Sequence, residues 1–320
     1  MITSSSFVRV FFMKDFSEPV YSIEIPVNNV QPDYRERVDR HICIAHPSYS
    51  RSYIQKVISR GDVTVNGVTA KSNTKIKRGD CIEVRISDAL ERYVEPSTIP
   101  FTVLYEDSEI IAVNKSPGVI MHPVGRRLSG TLLNALHYYH RQNYPKIEQL
   151  PSFVNRLDED TSGLVIAAKT PDTLRNWYFR FFNRNVRKEY IALVEGVPSP
   201  ARGSIDLKIG VCPGQRIKRE ISDNGKPSKT LYKAVGVFGN HALMLLTPKT
   251  GRQHQLRVHM KAIGHPIAGD TSYGAGTEYI QRQALHSFRL FFSDPGAEKE
   301  RKLYAPLPAD IRGAMRKLGR

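Results

Sequence analysis

Three carboxylates stand beside an arginine in Val154-Asn155-Arg156-Leu157-Asp158-Glu159-Asp160-Thr161-Ser162-Gly163, after Pro151 and directly before an apolar run. The segment reads as a functional loop. Asp158 and Asp160 can share a cation there, which together with a basic surface would suit a metal-dependent nuclease. The same acids can equally form a turn held by Asx hydrogen bonds. The residues alone leave both readings open.

A second segment, Pro248-Lys249-Thr250-Gly251-Arg252-Gln253-His254-Gln255-Leu256-Arg257-Val258-His259-Met260, runs from a strand into a helix. Leu256, His259, Met260 and Ile263 recur at helical spacing, which fits a satisfied, core-facing His259. His254 suits a structural role as well, and no further ligand argues for zinc. In a third segment, Arg187-Lys188-Glu189-Tyr190-Ile191-Ala192-Leu193-Val194-Glu195-Gly196, one tyrosine sits where a basic lead becomes an apolar strand. Taken alone, Tyr190 fits a core aromatic better than a platform for a base.

The elements that must position these segments follow from pattern. Strand-like runs at 110–113, 164–168, 190–194 and 242–246 are interspersed with helical ones at 171–182 and 253–263. That is an α+β pattern with a sizeable mixed or antiparallel sheet. The basic stretch 310–320 reads as a short surface helix. Upstream, two prolines bracket polar residues in Glu95-Pro96-Ser97-Thr98-Ile99-Pro100, where neither a helix nor a central strand is comfortable, so 95–100 is expected to be a linker. A chain of 320 residues has room for two domains, because single cores stop growing near about 250 residues.

Residues 35–85 read as a compact unit. Ile54, Val57 and Ile58 mark a helix that Ser50 would cap and Gly61 would stop. Val63-Thr64-Val65-Asn66-Gly67-Val68-Thr69 predicts a tight hairpin at Asn-Gly, and the strand Cys81-Ile82-Glu83-Val84 follows the turn at Arg78-Gly79-Asp80. The unit holds 11 Lys or Arg against 5 Asp or Glu, with Arg51, Lys56 and Arg60 near one helix. A solvated face explains such charges as well as a binding face does.

The order Arg-x-Asp, Ser-Arg-Ser-x-Ile-Gln-Lys-x-Ile, Gly-x-Val-x-Val-Asn-Gly, Lys-x-Gly-Asp resembles the small ribosomal-protein S-four-type RNA-binding domain. The resemblance implies an α/β RNA-binding domain at 35–94, with Arg51, Lys56 and Arg60 toward RNA. Residues 1–34 are then an N-terminal extension, in which Tyr21-Ser22-Ile23-Glu24-Ile25 is either a docking strand or part of a loose arm.

Arg-Leu-Asp-x-x-Thr-Ser-Gly, Lys-x-Tyr-x-Ala-Leu-Val-x-Gly and Thr-Gly-Arg-x-His-Gln-Leu-Arg-Val-His, in that order, are similar to the motifs of the RluA-type pseudouridine synthases. Further matches include Asn114-Lys115-Ser116-Pro117-Gly118, Gly130-Thr131-Leu132-Leu133-Asn134-Ala135-Leu136, Gly264-His265-Pro266-Ile267-Ala268-Gly269-Asp270 and Gln283-Ala284-Leu285-His286. Two positions depart from the pattern: Asn155 stands where a histidine is common, and Ser116 where a proline is usual. Neither carries the reaction in the family, so substrate choice is what they would touch.

What this resemblance implies is a catalytic domain at 101–320 that isomerises uridine to pseudouridine in RNA. Asp158 would be the essential carboxylate, acting at the ribose C1′ as nucleophile or at C2′ as base. Arg257 would pair with it and favour its ionised form. Tyr190 would stack on the uracil and assist proton removal from C5. Leu256, His254 and Gln255 would line the substrate site, and Arg156 would fill the stack that a flipped nucleotide vacates. The isomerisation has no net redox change and takes no outside atom, so no cofactor and no metal are expected.

Composition points the same way. Lys and Arg number 47 against 31 Asp and Glu, a net charge of +16, which favours a polyanion bound through its phosphates. Residues 208–261 alone hold 11 Lys or Arg against Glu220 and Asp223, so Lys226 and Lys229 are expected on an RNA track. Cys43, Cys81 and Cys212 form no CxxC pair, which argues against both a disulfide framework and zinc. The apolar stretch Phe7–Met13 is short and broken by Arg9, so neither a signal peptide nor a membrane span is expected. The expectation is a cytoplasmic monomer that binds RNA, ribosomal RNA first and transfer RNA second. A non-catalytic RNA-binding or ribosome-assembly factor on the same fold is the competing reading.

Overall fold

The computed structural model describes residues 7–11, 20–28, 30–46, 51–87, 98–124, 127, 129–147, 149–215, 217–293 and 300–319. The chain divides into two compact units, Met1–Glu95 and Pro96–Arg320.

In chain order the smaller unit comprises β1 (Phe7–Phe11), β2 (Val20–Pro26), β3 (Glu36–Arg37), α1 (Val38–Ala45), α2 (Arg51–Ser59), β4 (Val63–Val65), β5 (Val68–Thr69), β6 (Lys75–Ile76) and β7 (Cys81–Ser87). Its antiparallel sheet runs β1-β2-β7-β4-β5, with β3 and β6 paired apart from it. Ile54, Val57 and Ile58 fall one turn apart on α2 and are buried with Ile42, Val63, Ile82 and Val84. Asn66 and Gly67 both take positive φ, 53° and 79°, as a two-residue hairpin turn demands. Residues 20–26 are no loose arm. β2 pairs with β7 along its whole length, and Ile25 and Val27 are buried in the same core, so part of the segment read as an extension completes the sheet. Ser50, expected to cap α2, lies outside the described residues.

The larger unit comprises β8 (Thr102–Glu106), β9 (Ile110–Lys115), α3 (Leu132–Asn143), β10 (Ser152–Phe153), β11 (Ser162–Ala168), α4 (Pro171–Phe182), β12 (Val186–Glu195), β13 (Arg202–Asp206), β14 (Ile209–Val211), β15 (Arg219–Ile221), β16 (Lys229–Phe238), β17 (His241–Pro248), α5 (Gln255–Ala262), β18 (Leu285–Phe292), β19 (Arg301–Tyr304) and α6 (Ala309–Leu318). One mixed sheet runs β13-β16-β17-β12-β18-β11-β9-β8, with β10 on β11 and β19 on β18. Among the described residues β11 and β18 are its parallel pair. The chain is therefore α+β, as the alternation of runs predicts.

Three features of this sheet place the site. β11 is buried at every residue, which a central strand covered on both faces requires. Gly163, at the end of the acidic loop, has φ 112°, and a Cβ there would fall 2.3 Å from the Ser287 carbonyl oxygen. Any side chain at 163 would push β11 off β18. Finally, the β12–β18 register shifts between Glu189 and Tyr190, so Phe288 is left out of the pairing and Tyr190 comes opposite Ser287. A bulge of this kind re-aims the side chain that follows it.

Helices close the sheet. α3 begins with a capping box between Thr131 and Asn134, and α4 with Thr170 as cap and Pro171 in the first turn. Trp177 of α4 is buried against Phe292, with ring centroids 4.8 Å apart. Truncating it to alanine would cost about 3–5 kcal/mol.

Candidate active site

The acidic loop connects β10 to β11, and its backbone is clamped from both sides. Lys115, fully buried, donates from Nζ to the carbonyls of Ser116, Val119 and Glu159, the last at 2.5 Å. Burial pushes this amine down to about 8, against the pull of Asp160. Arg282 donates from Nη1 to the Asp160 carbonyl at 3.0 Å and pairs with Asp310. The Thr161 amide closes a turn on the Asp158 carbonyl at 3.1 Å. With its neighbours fixed, Asp158 projects a carboxylate that is 28% exposed.

Arg257, in the first turn of α5, meets that carboxylate: Nη1 donates to Asp158 Oδ2 at 3.1 Å. The other edge of the guanidinium is taken by Asp270, Nε to Oδ2 at 2.6 Å and Nη2 to Oδ1 at 2.8 Å. Burial works against the cation here, but the bonds to Asp270 and the charge of Asp158 raise its pKa above the ordinary value. Both carboxylates thus face a permanently charged partner.

The pair opens on a cavity of about 410 Å³ lined by Asn155, Arg156, Asp158, Phe181, Lys188, Tyr190, Arg252, His254, Gln255, Leu256 and Arg257, among others. Tyr190 reaches it from the bulge in β12. Burial pushes its phenol up to about 12, a hydrogen bond with Ser287 opposes this, and the Asp158 charge adds to it. His254 enters in the left-handed region, φ 57°, directly before α5. Its Nδ1 is 2.8 Å from the Tyr273 hydroxyl and its Nε2 is 3.9 Å from Asp158 Oδ2. A second cavity, of about 580 Å³, lies against His254 and is bounded by Gln215, Ile217, Lys218 and Tyr273.

Seven residues expected at the site, Asp158, Tyr190, Arg257, Arg156, Leu256, His254 and Gln255, border this one cavity. Gln255 differs from expectation in what its amide does. Its Oε1 accepts from Thr250 Oγ1 and the Arg252 amide, and its Nε2 donates to the Lys229 carbonyl and Thr230 Oγ1. Its hydrogen-bonding capacity is spent on holding loop 250–252 against β16. His259 is buried, with Nδ1 at Thr230 Oγ1 and Nε2 at the Leu207 carbonyl, a satisfied core histidine. Asn155, one of the two departures from the motif pattern, bonds the Leu164 carbonyl and Ile166 amide of β11.

The residues expected on RNA tracks lie elsewhere. Lys226 and Lys229 are exposed on the larger unit, where Lys229 pairs with Asp206 at 3.0 Å. On the smaller unit Lys56 and Arg60 are exposed, whereas Arg51 bonds buried Asp39 at 3.0 Å alongside Arg37 and Gln55. Burial alone would push the Asp39 carboxyl up, but these donors hold it below its usual value. Arg51 therefore has a structural task beside any contact with RNA.

Asp270, Lys115 and Arg282 were not picked out by sequence reasoning. Asp270 and Lys115 lie within quoted motif matches, and nothing in spacing says which side chain clamps which. Among the described residues no group of three or more His, Cys, Asp or Glu side chains converges as metal ligands. Chemically, a carboxylate gripped by a buried guanidinium beside an aromatic ring suits attack on, or proton removal from, a sugar whose base stacks in the cavity.

Known proteins resemble this chain along most of its length. The family described as RNA pseudouridylate synthase matches residues 109–262, and the S4 domain matches residues 36–82. An "Uncharacterized RNA pseudouridine synthase" of Chlorobaculum parvum is 36% identical over 88% of this chain and 94% of its own. The "Ribosomal large subunit pseudouridine synthase D" of Pasteurella multocida is 34% identical over 86% of this chain and 89% of its own. Among solved structures, Human RNA Pseudouridylate Synthase Domain Containing 4 superposes with a TM-score of 0.57 at 26% identity, covering 68% of this chain and 92% of that one. The chain belongs to the RNA pseudouridine synthase family. It is an enzyme that isomerises uridine within RNA, and it carries an S4 RNA-binding domain ahead of the catalytic unit.

Proposed function

We propose that this enzyme modifies large-subunit ribosomal RNA, with Asp158 as its catalytic carboxylate. The observation that carries the reading is the Arg257–Asp158 contact of 3.1 Å at the wall of a cavity shared with Tyr190. The substrate class is supported by relatives named as ribosomal large subunit synthases.

The target uridine leaves the helical stack and enters the cavity, at an unstacking cost of a few kcal/mol as an order of magnitude. Exposed Arg156, at the rim, fills the vacated place. Asp158, ionised beside Arg257, acts at C1′ as nucleophile or at C2′ as base, and the N-glycosidic bond breaks. The freed uracil turns against the Tyr190 ring and rejoins the sugar through C5, whose proton is then lost. No oxidant, reductant or outside atom enters the balance. His254 and Leu256 shape the pocket, and Gln255 positions its loop. The S4 domain, through Lys56, Arg60 and the free edge of Arg51, and the track at Lys226 and Lys229 hold the surrounding RNA in a cytoplasmic, monomeric enzyme.

Mapping pseudouridines in ribosomal and transfer RNA from cells lacking the protein tests this reading. At least one large-subunit position should lose its pseudouridine and regain it with wild type. Loss confined to transfer RNA would refute the proposed substrate, and no loss anywhere would favour an assembly factor.

A further inference from the structure

Helix α4 carries aromatic rings on two faces. Leu174, Trp177 and Phe181 pack toward the sheet. On another face Arg175, Tyr178, Phe179 and Phe182 recur at i, i+3, i+4 and i+7, one continuous stripe. Tyr178, Phe179 and Phe182 are 51%, 67% and 84% exposed. A surface helix ordinarily turns polar residues outward there. Single exposed apolar residues call for no explanation, but adjoining rings along one stripe mark a contact surface.

The helix that carries the stripe also borders the active-site cavity: Phe181, on its sheet-facing side, lines that cavity, and Tyr178 of the stripe lies near Arg156 on the cavity wall. Exposed cations border the rings of the stripe: Arg184, and Arg175, which also pairs with Asp172 at 3.1 Å. A second copy of the chain would oppose like charges across such a face. A nucleic-acid strand brings both missing complements, flat bases for the rings and phosphates for the cations.

We propose that Tyr178, Phe179 and Phe182 form a stacking platform for unpaired bases flanking the target uridine. This rests on the RNA-modifying reading of the adjoining cavity. With Arg156 in the place of the flipped nucleotide, the strand beyond it is left unpaired, and rings beside Arg156 offer its bases flat faces to stack on. Stacking reads no hydrogen-bond pattern, so the platform tolerates any flanking base.

The test compares wild type with a Phe179→Ala/Phe182→Ala double variant, whose exposed positions leave the core untouched. Binding is read by the fluorescence of 2-aminopurine placed beside the uridine of a short single-stranded RNA, and again with that RNA annealed to its complement. The platform predicts roughly tenfold weaker single-strand binding for each ring lost. Duplex binding should change by no more than about twofold, because paired bases offer no free faces. A Phe179→Tyr/Phe182→Tyr variant should bind as wild type does. Unchanged single-strand affinity in the alanine variant, or equal losses on both forms, would overturn the proposal. So would a wild-type dimer in sedimentation that the alanine variant abolishes. Pseudouridine formation is assayed in parallel: an inactive wild type would sink the enzymatic reading, while the affinities still decide the platform.

Discussion

Asp270 grips Arg257 with both carboxylate oxygens, at 2.6 and 2.8 Å, and so leaves a single nitrogen, Nη1, to face Asp158. The guanidinium is only 7% exposed and cannot swing away without abandoning a buried carboxylate. Asp270 is therefore a positioning residue for the carboxylate proposed to act on the sugar.

Replacing Asp270 with Asn should lower kcat by on the order of 10- to 100-fold, since small misplacements of a reacting group cost that much. KM for RNA should stay within about threefold, because Asp270 does not line the cavity. Combining Asp270→Asn with Asp158→Asn should add nothing further. A drop in thermal midpoint with unchanged kcat would reduce Asp270 to a structural role.

Tyr190 yields a prediction about pH. Its phenol, pushed up to about 12, stays protonated through neutral and mildly alkaline solution. Turnover should show no rise between pH 7 and about pH 9 attributable to a phenolate. Tyr190→Phe should bind RNA as wild type does, because the ring remains, whereas Tyr190→Ala should bind about tenfold more weakly. A rate that climbs with pH in wild type and is flat in Tyr190→Phe would show a phenolate base instead.

His286 makes the catalytic unit sensitive to acid. It is fully buried, with Nδ1 2.9 Å from Ser162 Oγ and Nε2 3.2 Å from the Ala305 carbonyl, and burial pushes its pKa down to about 4. Between that value and the ordinary value near 6.5, the unfolded chain binds the proton and the folded one does not. Stability therefore holds above about pH 6.5 and falls progressively toward pH 4, by up to about 3 kcal/mol from this group. Denaturation midpoints measured across that range should decline; burial pushes His122 and His137 down to about 4 as well, so His286→Gln should make the decline shallower without abolishing it. An equal slope in the variant would assign the acid sensitivity to other groups.

Local signals in the sequence carry far in this chain, and their failures share one cause. The periodicity of 171–182 and the Asn66-Gly67 turn predict α4 and the hairpin because the governing interactions span a few residues. The three motif segments lead to one cavity because Asp158 lies in the loop before a strand, Arg257 in the first turn of a helix, and Tyr190 at the bulge of β12, each a place where a side chain can be turned toward a site. What was not legible depends on contacts between distant segments. Lys115 meets the Glu159 carbonyl across 44 residues, Arg282 meets Asp160 across 122, and β2 joins a sheet whose partner strand begins at Cys81. Gln255 and Asn155 show the complementary case, in which a polar side chain beside the site is consumed by backbone. No spacing rule distinguishes such a side chain from one left free for substrate.

The central claim concerns Asp158 and is tested most directly by single-turnover release of tritium from RNA carrying [5-³H]uridine, since pseudouridine formation frees the C5 hydrogen. Asp158→Asn keeps the size of the side chain and a hydrogen-bond acceptor for Arg257 but removes its charge. It should bind the RNA with near wild-type affinity and release no tritium above background. Release by Asp158→Asn at a rate comparable with wild type would contradict the account.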